Sequence, residues 1–133
     1  MNFSFTKNLS RMIFKTSTQS GKRAEEIATN FLIKQGIKIV SRNFHSRFGE
    51  IDLVGLDKQI LIFFEVRFRK NEHFLSAIET IDQHKCNKII ITSEYYLNQH
   101  KKYQSYLCRY DVITITGDLN KPVIEWIINA FQA

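Results

Sequence analysis

Apolar residues recur at helical spacing between Gly21 and Lys34, at Ala24, Ile27, Ala28, Phe31 and Leu32. That spacing predicts an amphipathic helix. Ser20 is placed to cap its start, and Gly36 suits the left-handed residue that ends a helix. Glu25 and Glu26 fall in its first turn, where the helix dipole favours carboxylates. Glu25 also lies beside the stripe at Ala24 and Ala28, from where it can lean over a sheet. Ile37 to Phe44 then reads as a strand, with His45-Ser46-Arg47 as a basic turn. From Phe48 to Lys70, β-branched and aromatic residues dominate two arms joined at Gly55-Leu56-Asp57-Lys58, a hairpin pattern. Asn71 to His73 is a loop. The longest helical stretch runs from about Leu75 to Asn98, with Ile78, Ile81, Ile89 and Tyr96 as anchors, although Ile89-Ile90-Ile91 suits helix or strand. Tyr110 to Thr116 and Val123 to Ile128 are two more strands around a turn at Gly117-Asp-Leu-Asn120. Helix, three strands, helix, two strands is an α/β order that predicts a mixed central sheet flanked by helices.

The hairpin concentrates the charge of interest. Alternate strand residues share a face, which groups Glu50 with Asp52 on one arm, and Phe63, Glu65, Arg67 and Arg69 on the other. With Asp57-Lys58 as a two-residue loop, Asp52 stands opposite Phe63 and diagonal to Glu65. That diagonal is about 7–8 Å, near enough for two carboxylates to share one cation. The other face of the second arm, Ile60, Ile62, Phe64, Val66 and Phe68, is apolar throughout. A strand buried on both faces that turns charged at one end fits a sheet floor opening into a site. An amphipathic strand with solvated charges is the plainer reading, and both stay open on this pattern.

Composition narrows the setting. The chain has 133 residues, 44% hydrophobic and 24% charged, which is enough for one globular domain and its core. A formal net charge of +6 favours a polyanionic partner. No apolar run is long enough to span a bilayer. Cys86 and Cys108 do not make a disulfide framework, so reduced thiols in the cytoplasm are expected. His45, His73, His84 and His100 lack metal-finger spacing. Residues 1–19 are basic and carry no acid. Their composition reads as a flexible or partly helical arm rather than a transit peptide, with one domain over residues 20–133.

Gly21-Lys-Arg-Ala-Glu25, Arg42-Asn43, Phe48-Gly-Glu-Ile-Asp-Leu53, Phe63-Phe-Glu-Val-Arg67, Lys85, Cys108-Arg-Tyr-Asp-Val112 and Ala130-Phe131 occur in the order of the YraN-type bacterial family. The chain resembles that family from about residue 20 to 131. The resemblance implies a restriction-endonuclease-like fold similar to that of Holliday-junction resolvases. It implies a Mg²⁺ or Mn²⁺ site at Asp52, Glu65 and the Val66 carbonyl, with Glu25 acting through a water. The catalytic set would be Glu25, Asp52, Glu65 and a lysine whose position holds Arg67. Arginine keeps the charge and binds phosphate well, but its pKa above ~12 bars it from acting as a base. Arg42, His45, Arg47, Arg69, Lys70 and Lys85 are the expected nucleic-acid contacts, positioning a duplex through its phosphates. The implied function is DNA binding with Mg²⁺-dependent endonuclease action on branched or structured DNA. The alternatives are a nucleic-acid-binding module without catalysis and a protein-interaction domain whose carboxylates pair with Arg67 and Arg69. Oligomeric state stays open between monomer and homodimer.

Overall fold

The structure, a computed structural model, describes residues 19–70 and 81–133. The expected N-terminal arm, the loop at Asn71 to His73 and the first part of the second helix, with Ile78, lie outside the described residues. The elements are α1 (Gln19–Lys34), β1 (Lys38–Ser46), β2 (Gly49–Asp57), β3 (Ile60–Arg69), α2 (Gln83–Gln99), a short 3₁₀ turn (Lys101–Tyr103), β4 (Leu107–Thr116) and β5 (Val123–Phe131). The five strands lie in the order β1-β2-β3-β4-β5, with β3 and β4 parallel and the other pairs antiparallel. The α/β class and the mixed sheet flanked by helices are as expected.

The helices cover opposite faces. Ala24, Ala28 and Leu32 of α1 pack with Leu53, Ile62, Phe64, Val66, Ile113 and Ile115. Ile89 and Tyr96 of α2 pack with Ile51, Val54, Leu61, Phe63 and Tyr110. Burial on both faces explains why β3 is wholly apolar from Ile60 to Phe64. Helix α1 ends at Gly36, φ +94°, with Ile37 N–H donating to Leu32 O and Gly36 N–H to Ile33 O. This is the paired closure that a left-handed glycine permits.

Several boundaries differ from the sequence expectation. The helix already includes Ser20, so Ser20 does not cap it, and its first turn holds no acid. β1 continues through Ser46, and the following turn is Arg47-Phe48. In the central hairpin Asp57 pairs with Ile60, so the loop is Lys58-Gln59, with Lys58 left-handed at φ 56°. The one-residue shift places Asp52 opposite Glu65 rather than Phe63 when the register is continued one step. Helix α2 begins only after Asp82, whose carboxylate accepts from Lys85 N–H at 2.8 Å, so Ile81 precedes the helix. β4 starts earlier than expected and β5 ends later.

Candidate functional site

β2 and β3 separate where their acids lie. The ladder pairs them from Asp57–Ile60 to Leu53–Phe64. Beyond it, the Val66 N–H donates to the Asp52 carboxylate, at 2.8 Å. A strand N–H lies in the plane of the sheet, so the Asp52 side chain takes a place that a β2 carbonyl would fill in a continuous ladder. Asp52 is 0% exposed.

The alternation of faces reverses at the same level. On β2, Ile51 and Val54 both belong to the α2 side, whereas Leu53 belongs to the α1 side. On β1, Asn43 is left-handed at φ 51°, a conformation asparagine tolerates better than most residues. Arg42 and His45 consequently both turn to the α1 side, while Phe44 turns to α2. The expectation that Glu50 and Asp52 share a regular face is corrected by this reversal.

Glu65 faces α2, two residues on from Phe63. It is 2% exposed and pairs with two cations: Arg67 Nε at 3.2 Å and Lys85 Nζ at 3.8 Å from its Oε2. Both cationic side chains keep 26% exposure. The local causes are plain. Strand period two brings Arg67 beside Glu65, and the Asp82 cap fixes the start of α2 so that Lys85 falls in its first turn. Cys86, next on α2, has its thiol pKa raised, first by burial and then by Asp82 and Glu65.

Glu25 comes from the other side. It lines a pocket of about 390 Å³ with Lys22, Glu26, Thr29, Arg42, Asn43, His45 and Leu53. Glu25 therefore does lean over the sheet, with two of the expected phosphate contacts. Arg47 lies over the Phe48 ring, its guanidinium carbon 4.9 Å from the centroid. Arg69 and Lys70 are exposed at the end of β3. The strand register places Arg42 level with Leu53, beside the middle of the sheet where Asp52 and Glu65 lie, and His45, Arg47, Arg67, Arg69 and Lys70 from there toward one end.

Among the described residues no three His, Cys, Asp or Glu side chains form a group that could hold a metal ion. The implied triad of Glu25, Asp52 and Glu65 is thus brought together in part. Asp52 and Glu65 occupy adjacent strands and offer the hard oxygens that Mg²⁺ takes. One or two carboxylates suffice for an ion that keeps most of its waters. The pair fits such an ion in donor chemistry, with Arg67 and Lys85 already neutralising Glu65.

Sequence reasoning missed a third buried acid. Asp111 on β4 is 0% exposed and accepts from Arg109 Nε and Nη2, each at 2.9 Å, from Trp126 Nε1 at 2.9 Å and from Asn129 N–H at 2.8 Å. It closes the irregularity in the β4–β5 ladder between Tyr110 and Val112, where Asn129 is left-handed. The available signals were an acid beside the apolar run of β4 and its place in the segment Cys108-Arg-Tyr-Asp-Val112 that carries the family resemblance.

No helix of the described residues is long and apolar enough to cross a membrane. Residues 24–115 match the family described as Uncharacterised protein family UPF0102. A UPF0102 protein of Alcanivorax borkumensis is 39% identical over 122 residues, covering 91% of this chain and 98% of the relative. One from Colwellia psychrerythraea is 42% identical over 118 residues, covering 87% and 91%. Another, from Nitrosococcus oceani, is 36% identical over 117 residues, covering 88% and 94%.

Proposed function

This chain belongs to the UPF0102 family, and from the geometry of its charged sheet end we propose that it binds DNA there and hydrolyses a phosphodiester bond with the help of a divalent cation. The observation that carries the reading is the burial of Asp52 on β2 and of Glu65 on β3, the latter with Arg67 and Lys85 against its carboxylate. Taking charges out of water costs several kcal/mol per ion, and a hydrophobic replacement is often at least as stable. A buried acid–base cluster opening onto a basic rim is better explained by chemistry than by stability.

Asp52, Glu65 and the Val66 carbonyl would hold the Mg²⁺ or Mn²⁺ ion. When bound, such an ion lowers the pKa of water and neutralises charge on the phosphate. The protein's own residues do the rest. Arg67 offers its planar fork to phosphate oxygens, Lys85 adds a point charge on the α2 side, and Arg42, Arg47, Arg69 and Lys70 engage flanking phosphates. Arg67 acts only by binding. Branched or otherwise structured DNA is the substrate class the resemblance implies, and the reduced Cys86 and Cys108 suit a cytoplasmic setting.

A second reading is a DNA-binding module without catalysis. The 3.2 Å approach of Arg67 to Glu65 favours it, because the carboxylate is then neutralised by an arginine where the related nucleases carry lysine. One experiment separates the readings: supercoiled, linear and four-way-junction DNA incubated with Mg²⁺ or Mn²⁺, with Glu65→Ala as control, beside binding measured across a salt series. Metal-dependent cleavage lost in the control supports the enzyme. Binding that falls with salt by a log–log slope of roughly −0.9 per phosphate contact, without cleavage, supports the module. Salt-insensitive or absent binding overturns both.

A further inference from the structure

At the tip of the β1–β2 hairpin, aromatic rings and cations are interleaved at the surface. Ser46 Oγ donates to Gly49 O at 3.2 Å and accepts from Phe48 N–H at 3.0 Å, which fixes the turn. Gly49 has φ +150°, and a Cβ there would meet Thr92 Oγ1 of α2 at 3.0 Å, so glycine lets the turn close on the helix. The result is a held step of rings. Phe48 lies 5.6 Å from Tyr95, and Phe44 lies 6.1 Å from Tyr95 and 4.9 Å from Tyr96. Phe44, Phe48 and Tyr95 are all half-buried, whereas Tyr96 is buried and bonded through its hydroxyl to Ser41 at 2.6 Å. The exposed Arg47 guanidinium lies over Phe48. Lys88 runs along the turn, its side-chain carbons close to Gly49.

Two of these features exceed what anchoring a hairpin needs. Phe44 on Tyr96 already pins β1 to α2 by packing against the core, whereas the half-buried Phe48 and Tyr95 meet outside that cluster. The outermost member, Arg47, presents a cation on an aromatic plane. Flat rings beside a guanidinium, at the edge of a phosphate-binding rim, are what an unpaired nucleobase recognises: the base stacks and the neighbouring phosphate meets the cations.

Resting on the DNA-binding reading above, we propose that Phe48 and Tyr95, with Arg47, form a stacking platform for one unpaired base, and that Arg47 and Lys88 hold the phosphate beside it. The platform lies on the α2 side, as Glu65 does, so the stacked base belongs to a strand running toward the acids. The protein accordingly prefers DNA with an extruded or unpaired nucleotide over uninterrupted duplex.

The test uses the full chain and three DNAs of equal length: a perfect duplex, the same duplex with a single bulged 2-aminopurine, and one with an abasic bulge. The 2-aminopurine bulge should bind roughly tenfold more tightly than the perfect duplex, with its fluorescence quenched on binding, and the abasic bulge should lose that gain. Tyr95→Leu should abolish quenching and Tyr95→Phe retain it. Should Tyr95→Leu fail to fold, the abasic comparison on the unaltered protein decides. Equal affinity for all three DNAs, with binding still salt-dependent, overturns the platform and leaves DNA binding standing. Tight binding of both bulges alike also overturns it, because bending rather than stacking then explains the gain. Binding to none of them overturns both readings.

Discussion

Asp111 and Glu65 are buried carboxylates on neighbouring strands of one sheet, yet their partners differ in kind. Asp111 is held by an indole N–H, a backbone N–H and a forked guanidinium, all from β4 and β5 themselves. Its ring and main-chain donors cannot leave without dismantling the strand pair. Among the partners of Glu65 are two long cationic side chains, one from its own strand and one from a helix, each with part of its surface in water. Those cations can turn outward and be replaced by a ligand. A buried acid is structural when its donors are fixed and available for chemistry when they are mobile, and burial alone does not tell the two apart.

The largest effect expected from that contrast is on stability at Asp111. Asp111→Ala leaves the indole and Asn129 N–H without their acceptor and Arg109 without its counter-charge, and should cost about 3–5 kcal/mol in urea unfolding. A loss below ~1 kcal/mol would erase the distinction. Next in size is a gain at the other site. Arg67→Lys restores a compact donor whose pKa can fall near a bound metal, and cleavage should rise by up to ~10²-fold at neutral to mildly alkaline pH. If metal still binds and cleavage stays undetectable, the site serves binding.

Glu65→Gln should change unfolding stability by only about 1 kcal/mol, because Arg67 and Lys85 regain water when their partner is neutralised. Calorimetric binding of Mn²⁺ should nevertheless disappear. A destabilisation as large as that of Asp111→Ala would make Glu65 a second structural acid. The smallest effect separates the two sides of the sheet by pH. Burial raises the phenol pKa of Tyr96 and Tyr110, both on the α2 side, above the usual value near 10.0. The unfolded chain then ionises first, so their contribution is complete below pH 10 and is lost as pH rises through the raised values. Urea midpoints from neutral to alkaline pH should fall accordingly, and less so in Tyr96→Phe, which cannot ionise.

Element order and sheet class were legible because period-two and helical patterns survive in the sequence wherever burial is one-sided or complete. The acids were legible as types, but their relation was not. The hairpin loop could be placed one residue either way, since Asp57-Lys58 and Lys58-Gln59 are both polar, and that residue decides what faces Asp52. The face reversal at Asn43 and Asp52 left no periodic trace, because it takes one residue on each strand, left-handed only at Asn43. Asp82 as a cap was concealed by Ile78 and Ile81, which fit a helix that starts earlier. Asp111 could not be interpreted without Trp126 and Asn129, residues 15 and 18 positions away in the chain.

The parallel seam between β3 and β4 sets when this site comes into being as the chain folds. β1 to β3 form a meander of short connections, and β4 with β5 a local hairpin, so each can form through nearby contacts. Pairing Ile60 with Leu107, and so on up to Arg69 with Thr116, joins segments far apart in sequence. Loop-closure entropy makes such long-range pairing the slow step. Lys85 lies within the crossover that the seam closes, while Glu65 lies on the seam itself, paired with Val112. Lys85 therefore joins Glu65 and Arg67 with the last large contact to form, and a half-folded chain carries Glu65 with only its same-strand cation.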